Sequence, residues 1–287
     1  MFTPITYFAP QGGEPFDPRL GGTLTVNHWY NFTDPSTMTL SGNEITDIYD
    51  QGSATYSYDL TLVTTDKPIY NSNGYAEFAA GDSSNPNALY STATAPLTLG
   101  NSVGSSGTNE VTVIGIWNFQ NTAESDLQRV FGIGGAQYFP LDFNPLGGDA
   151  NAPLPVNTTY LNGTSATGRS FGGLFRERNV GWNAQVFGNQ GNFGEYHLLA
   201  TKISWDGQYL TTGHSIDGSQ FFTGVNNGFM ANKLAPQGAT IGARLDTNQN
   251  HFRGHLQHVI VYDGLLTDAN ISDIYASWFA SPSPKTS

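Results

Sequence analysis

The segment "EYHLLATKISWDGQYLTTGHSIDGSQFF", residues 195 to 222, constrains the fold of this chain more than any other. Asp206-Gly207 and Asp217-Gly218 lie there between stretches of alternating apolar and polar residues. A two-residue hairpin loop needs positive φ at its centre, which Asp-Gly adopts at little steric cost. Two such turns predict three consecutive antiparallel strands. The remaining sequence offers material of the same kind. Its 34 Gly and 15 Pro favour turns, and Lys, Glu and Met, which favour helices, are scarce. Apolar residues make up 38% and charged residues 12%, so a sizeable core can form. The chain is predicted to be all-β.

Charge excludes one class of partner. Only 11 Lys plus Arg stand in a chain of net charge -12, too few to neutralise a phosphate backbone over a large footprint. Nucleic acid is not expected as a partner. No apolar run is long enough to cross a membrane, and "MFTPITYFAPQGGEPF" has neither a basic n-region nor an apolar h-region. Membrane insertion and Sec export are therefore not expected. With 0 Cys there are no disulfides and no thiolate metal sites.

Residues 1 to 22 carry Pro4, Pro10, Pro15 and Pro18 and are predicted to form an extended arm, since proline cannot donate to a central ladder. A single domain is expected over 23 to 280, its first strand at "TLTVNHWYNF" (23 to 32). Further strands are predicted at 44 to 49, 58 to 64, 75 to 79, 110 to 119 and 128 to 134. From 138 to 173 regular patterning lapses, and a long surface insertion is expected. Ile271, Ile274, Tyr275, Trp278 and Phe279 then repeat at helical spacing after a polar "TDAN" start, predicting a short C-terminal helix over a sheet edge or open end. Residues 281 to 287 are expected to form a tail.

His251, His255 and His258 would share one face of a helix, a spacing that suits a metal. However, Val259, Ile260, Val261 and Tyr262 favour a strand, Gly254 penalises a helix and Asp263-Gly264 supplies a stop. On a regular strand His255 and His258 face opposite ways and cannot chelate one ion.

With the strands placed, "ATIGARLDTNQNHFRGHLQHVIVYDGLLTDANISDIYASWF" (239 to 279) resembles the closing segment of concanavalin A-like jelly rolls of the laminin-G and pentraxin type. "HLLATKISWDGQYLTTGHSIDG" (197 to 218) resembles their central hairpins. "LTVNHWYNFTDPSTMTLSGNEITDIYDQGS" (24 to 53) is similar to the opening of such domains in phage-borne and other virion proteins. The resemblance implies a jelly-roll β-sandwich of two antiparallel sheets. It implies little about function, because this fold carries lectins, hydrolases, adhesion modules and structural proteins alike.

Glucanases of this superfamily aim two carboxylates from one strand as E-x-D-x-E or E-x-D-x-x-E. No such spacing exists here, and Glu44 and Asp47 would fall on opposite faces of a regular strand. Glu195, beside Tyr196 and His197, is the first acid to test for hydrolysis. There is no G-x-S-x-G elbow, and "GHSID" (213 to 217) supplies His, Ser and Asp only as neighbours that point apart along a strand. No catalytic residue is assigned.

Sandwiches of this type often bind calcium at a rim, and "DTNQN" places Asp246, Asn248 and Asn250 as in the opening of a calcium loop. His251 replaces the turn glycine, and Gln257 stands where a bidentate Glu is needed, so a solvated turn competes with that reading. No other cofactor is expected. Glycan binding needs an aromatic platform beside amide or carboxylate groups. Trp182 with Asn183 and Gln185, and Tyr138 within the insertion, have that character, though a sandwich also buries most of its aromatics.

The expected function is that of a non-enzymatic surface protein of a bacteriophage virion, binding neighbouring virion proteins and itself. The alternatives are a carbohydrate-binding receptor or adhesion module for host-surface glycans, and a glycoside hydrolase.

Overall fold

A computed structural model of the chain describes residues 14–53, 59–62, 67–78, 89–90, 109–119, 128–134, 157–162, 170–177, 181–186, 195–205, 209–220, 222–223, 228–229, 238–242 and 252–282. Over these residues the chain runs through β1 (Val26–Asn31), β2 (Met38–Ser41), β3 (Glu44–Ile48), β4 (Leu60–Leu62), β5 (Ile69–Asn71) and β6 (Tyr75–Phe78). It continues through β7 (Leu89–Tyr90), β8 (Asn109–Phe119), β9 (Gln128–Gly134), β10 (Asn157–Asn162), β11 (Ser170–Glu177) and β12 (Gly181–Val186). It ends with β13 (Tyr196–Trp205), β14 (Tyr209–Ile216), β15 (Phe222–Thr223), β16 (Gly228–Phe229), β17 (Gly238–Ile241), β18 (Gly254–Asp263) and α1 (Asp268–Ala280).

The strands form two antiparallel layers. The first runs β1–β18–β8–β13–β14, with β15 and β16 on the far side of β14. The second runs β2–β3–β4–β7–β17–β9–β10–β11–β12. β5 and β6 bridge the layers, because β5 pairs with β3 while β6 pairs with β18.

Asp217-Gly218 makes the predicted turn: φ is 50° and 73° at the two residues, and Ser219 N–H donates to the Ile216 carbonyl at 2.9 Å. Both central residues in the left-handed region give the twist that suits the flanking strands. Residues 206 to 208 lie outside the described residues, but Trp205 pairs with Leu210 across them, which closes the other hairpin.

Between the layers lies a core that includes Tyr30, Ile45, Ile48, Leu89, Trp117, Leu199, Val259 and Val261. Each fully buried aliphatic or aromatic side chain of this kind stabilises the fold by about 1.5–3 kcal/mol. A second apolar cluster lies on the opposite face of the first layer, where Ile114, Ile116, Leu198, Ala200 and Ile260 meet Ile271, Ile274 and Trp278 of α1. The first layer is thus covered on both faces. This explains why β8 and β18 read as near-continuous apolar runs rather than clean alternations.

The helix therefore lies across a sheet face, not over an edge or open end as the sequence suggested. That face carries too many aliphatic side chains to be left in water. Thr267 caps α1 in a reciprocal box, its Oγ1 accepting from Asn270 N–H at 3.1 Å while Asn270 Oδ1 accepts from Thr267 N–H at 3.0 Å.

Residues 14 to 22, the described part of the arm, lie on the same covered face. Phe16 is buried, Tyr262 O–H donates to the Pro18 carbonyl at 3.0 Å, and the Arg19 guanidinium sits 5.1 Å from the Trp29 ring centre. Within the 138 to 173 segment, β10 and the start of β11 are regular strands of the second layer, so that stretch is not wholly irregular.

Candidate functional site

Two β-bulges decide which polar side chains come together. In β18, Leu256 pairs with Trp117 and His258 with Ile116, leaving Gln257 as an extra residue. Leu256 and Val259 enter the inter-layer core, while His255, Gln257 and His258 all face the helix side. The expectation that His255 and His258 face opposite ways is therefore corrected: the inserted residue cancels one step of alternation. The imidazoles still have different surroundings. His255 stacks on Tyr75 with ring centres 4.1 Å apart, whereas His258 lies 4.9 Å from Phe16 and accepts from Trp29 Nε1–H at 3.3 Å. Among the described residues no group of 3 or more His, Cys, Asp or Glu is placed to hold a metal ion. His251 lies outside the described residues.

The second bulge is at Thr46. Thr39 pairs with Asp47 and Leu40 with Ile45, so Thr46 is the extra residue. Ile45 and Ile48 are both fully buried, and Glu44, Thr46 and Asp47 share the outer face of the second layer. This corrects the expectation that Glu44 and Asp47 part. Asp47 accepts from Thr61 Oγ1 at 2.6 Å and from Thr46 Oγ1 at 2.9 Å, and Glu44 accepts from Lys67 Nζ at 2.5 Å. Both carboxylates are engaged at the surface by separate partners, an arrangement unlike an acid and base converging on one glycosidic bond. Next to them Tyr49 is 39% exposed, its hydroxyl hydrogen-bonded to that of Thr39. The result is an open surface of one aromatic ring, several hydroxyls and two carboxylates.

Two histidine–aspartate pairs share one design. Asp50 Oδ2 contacts His28 Nδ1 at 2.6 Å while its Oδ1 accepts from Trp29 N–H at 2.9 Å. Asp217 Oδ2 contacts His197 Nδ1 at 2.8 Å while its Oδ1 accepts from Leu198 N–H at 2.9 Å. In each, one carboxylate clamps an imidazole and the next backbone amide, fixing a loop to a strand. The residues of "GHSID" accordingly separate. His214 Nδ1 pairs with Thr201 Oγ1 at 3.0 Å, Ser215 donates to the Ser219 carbonyl at 2.5 Å, and Asp217 serves His197. No nucleophile–base contact forms among them. Burial of His214 lowers its pKa to about 4.

Of the residues singled out from sequence, Trp182, Asn183 and Gln185 lie on β12 at the edge of the second layer, paired in register with Arg176, Phe175 and Gly173. Glu195 is exposed immediately before β13. Tyr138, Asp246, Asn248 and Asn250 lie outside the described residues. The Tyr49 surface was missed from sequence. Its signal is the run of hydroxyl residues Thr39, Ser41 and Thr46 around Tyr49, obscured by the assumption of strict alternation across Thr46.

No protein-family model matches this chain, and no curated protein sequence matches it. Solved structures do resemble it. A mutant GH54 α-L-arabinofuranosidase soaked with 4-nitrophenyl α-L-arabinofuranoside superposes with a TM-score of 0.53 at 12% identity, over 93% of this chain and 65% of that one. The binding domain of botulinum neurotoxin serotype D gives 0.50 at 8% identity, over 90% of this chain and 52% of that one. A heptameric SAP-like pentraxin from Limulus polyphemus gives 0.49 at 14% identity, over 69% and 80%. At these identities the likeness is one of fold: the chain is a jelly-roll β-sandwich with a short C-terminal helix.

Proposed function

We propose that this chain is a non-catalytic carbohydrate-binding module, and that the outer face of the second layer around Tyr49, Thr39, Asp47 and Thr61 receives the glycan. The observation that carries this is the contrast between the layers. The first layer is covered on both faces, whereas the described part of the second presents an exposed ring beside hydroxyls and a carboxylate. Sugars offer an apolar CH face edged with hydroxyls, which such a surface complements. Neighbours of like fold include a glycosidase soaked with an arabinofuranoside, which is compatible with this reading.

β12, with Trp182, Asn183 and Gln185, is the far edge of the same layer, seven strands from β3 in the pairing order. At about 4.8 Å per strand that is roughly 34 Å, a distance only an extended polysaccharide would bridge. A glycan array with the intact chain tests the proposal. Binding to at least one glycan, weakened by Tyr49→Ala, is expected, and an array without signal would sink it.

A virion setting for the same module is a second reading, favoured by the resemblance of residues 24 to 53 to domains of phage-borne proteins. In it the protein sits on the particle surface and contacts neighbouring virion proteins and copies of itself. Electron microscopy of purified particles with and without the gene tests this reading, and absence of the protein from any particle removes it.

A further inference from the structure

Four polar side chains form one row across β6 and the three adjacent first-layer strands β18, β8 and β13. His255 pairs with Glu77 of β6 on one side and with Asn118 of β8 on the other, and Asn118 pairs with Tyr196 of β13. The row lies on the helix side of the layer, just past the Gln257 bulge. Tyr75 stacks on His255 at 4.1 Å, and the Tyr75 and Tyr196 rings lie 6.4 Å apart.

Asn118 is 0% exposed, and among the described residues neither its amide nitrogen nor its amide oxygen has a hydrogen-bond partner; the buried Tyr196 hydroxyl has none among them either. Buried polar groups are nearly always bonded, because each loses its water on folding and regains nothing if left alone. An amide and a phenol side by side in that condition are groups positioned for a partner supplied from outside the chain.

The chemistry of the row narrows that partner. The amide and the phenol each donate and accept, which matches hydroxyl groups, themselves both donors and acceptors. Glu77 repels anions, and burial holds His255 toward its neutral form, so the row offers an anion no cationic partner. Tyr75 and Glu77, both only partly buried, form the accessible end, with an aromatic ring for an apolar CH face.

We infer that Glu77, Asn118 and Tyr196, flanked by Tyr75 and His255, form a binding site for a small uncharged polyhydroxyl ligand, a single sugar ring or a short polyol. It lies on the opposite layer from the Tyr49 surface and does not depend on it.

The test is titration of the full chain with D-glucose, D-galactose, D-mannose, N-acetyl-D-glucosamine and glycerol, followed by calorimetry and saturation-transfer NMR. Asn118→Leu and Tyr196→Phe replace the unbonded groups with apolar ones of similar shape, so both variants should fold with melting temperatures no lower than the parent. At least one of the five ligands should saturate the parent, bind at least tenfold more weakly to each variant, and bind Tyr49→Ala as well as it binds the parent. No saturable binding by the parent, or binding that survives Asn118→Leu, overturns the site. Binding lost in Tyr49→Ala but kept in Asn118→Leu overturns it too, and leaves the outer-face proposal standing.

Discussion

Trp278 donates its indole Nε1–H to Oε1 of Gln257 at 2.9 Å, with both residues buried, so the C-terminal helix is tied to the bulge of β18. The residue that breaks alternation in the strand is the one that fixes the helix above it. Gln257→Ala would strand the indole N–H in an apolar cluster, at a cost of about 1–3 kcal/mol. Urea denaturation of parent and variant measures this, and an unchanged midpoint would show that the bond contributes nothing.

The two histidine–aspartate clamps should differ in weight. The side chains of His28 and Asp50 are 0% and 1% exposed, those of His197 and Asp217 are 12% and 31% exposed. Asp50 also accepts from Gly52 N–H at 2.9 Å. Asp50→Ala should therefore destabilise by about 3–5 kcal/mol, the range for breaking a buried pair. Asp217→Ala, partly screened by water, should cost about 1–2 kcal/mol. Equal losses in thermal melts would contradict this ranking.

Acid should weaken the fold over a defined window. Burial lowers the pKa of His214 from 6.5 to about 4, and burial lowers that of His255 as well. Between pH 6.5 and 4 the unfolded chain binds protons that the folded chain refuses, so stability is complete above the upper limit and falls as pH drops through the window. His214 alone accounts for a loss on the order of 3 kcal/mol. Chemical denaturation at pH 7.5 and 4.5 checks it. His214→Asn, which keeps a polar partner for Thr201, should show a smaller difference between the two pH values than the parent.

Gly115 lies beneath the ring of Trp117. A Cβ at that position would come within 2.0 Å of the indole, whose side chain is fully buried in the inter-layer core. Gly115→Ala must displace the ring and should cost about 1–3 kcal/mol, with a changed tryptophan near-ultraviolet signal. A variant with parental stability and spectrum would show that the ring has room to move.

Much of the fold is legible from local chemistry. The Asp217-Gly218 turn, the β-branched run at the end of β18 and the "TDAN" cap each depend on neighbours a few residues apart, and all three appear where their sequence places them. The bulges at Gln257 and Thr46 are not legible in this way. An extra residue in one strand is defined by the partner strand it opposes, and no local pattern marks it. The helix position depends on Ile114, Leu198 and Ile260 meeting on one face, which requires knowing that β8, β13 and β18 are neighbours. The row of Glu77, His255, Asn118 and Tyr196 likewise draws one residue from each of four distant segments.

Whether the Tyr49 face receives a glycan, as proposed, is decided by calorimetric titration of the parent chain and Tyr49→Ala with the strongest array ligand. Tyr49 is partly exposed, so its removal should shift stability by less than about 0.5 kcal/mol. Saturable binding by the parent, weakened at least tenfold in the variant at unchanged melting temperature, is the predicted result. Equal affinity in the two proteins, or no heat from the parent with any glycan, would contradict it.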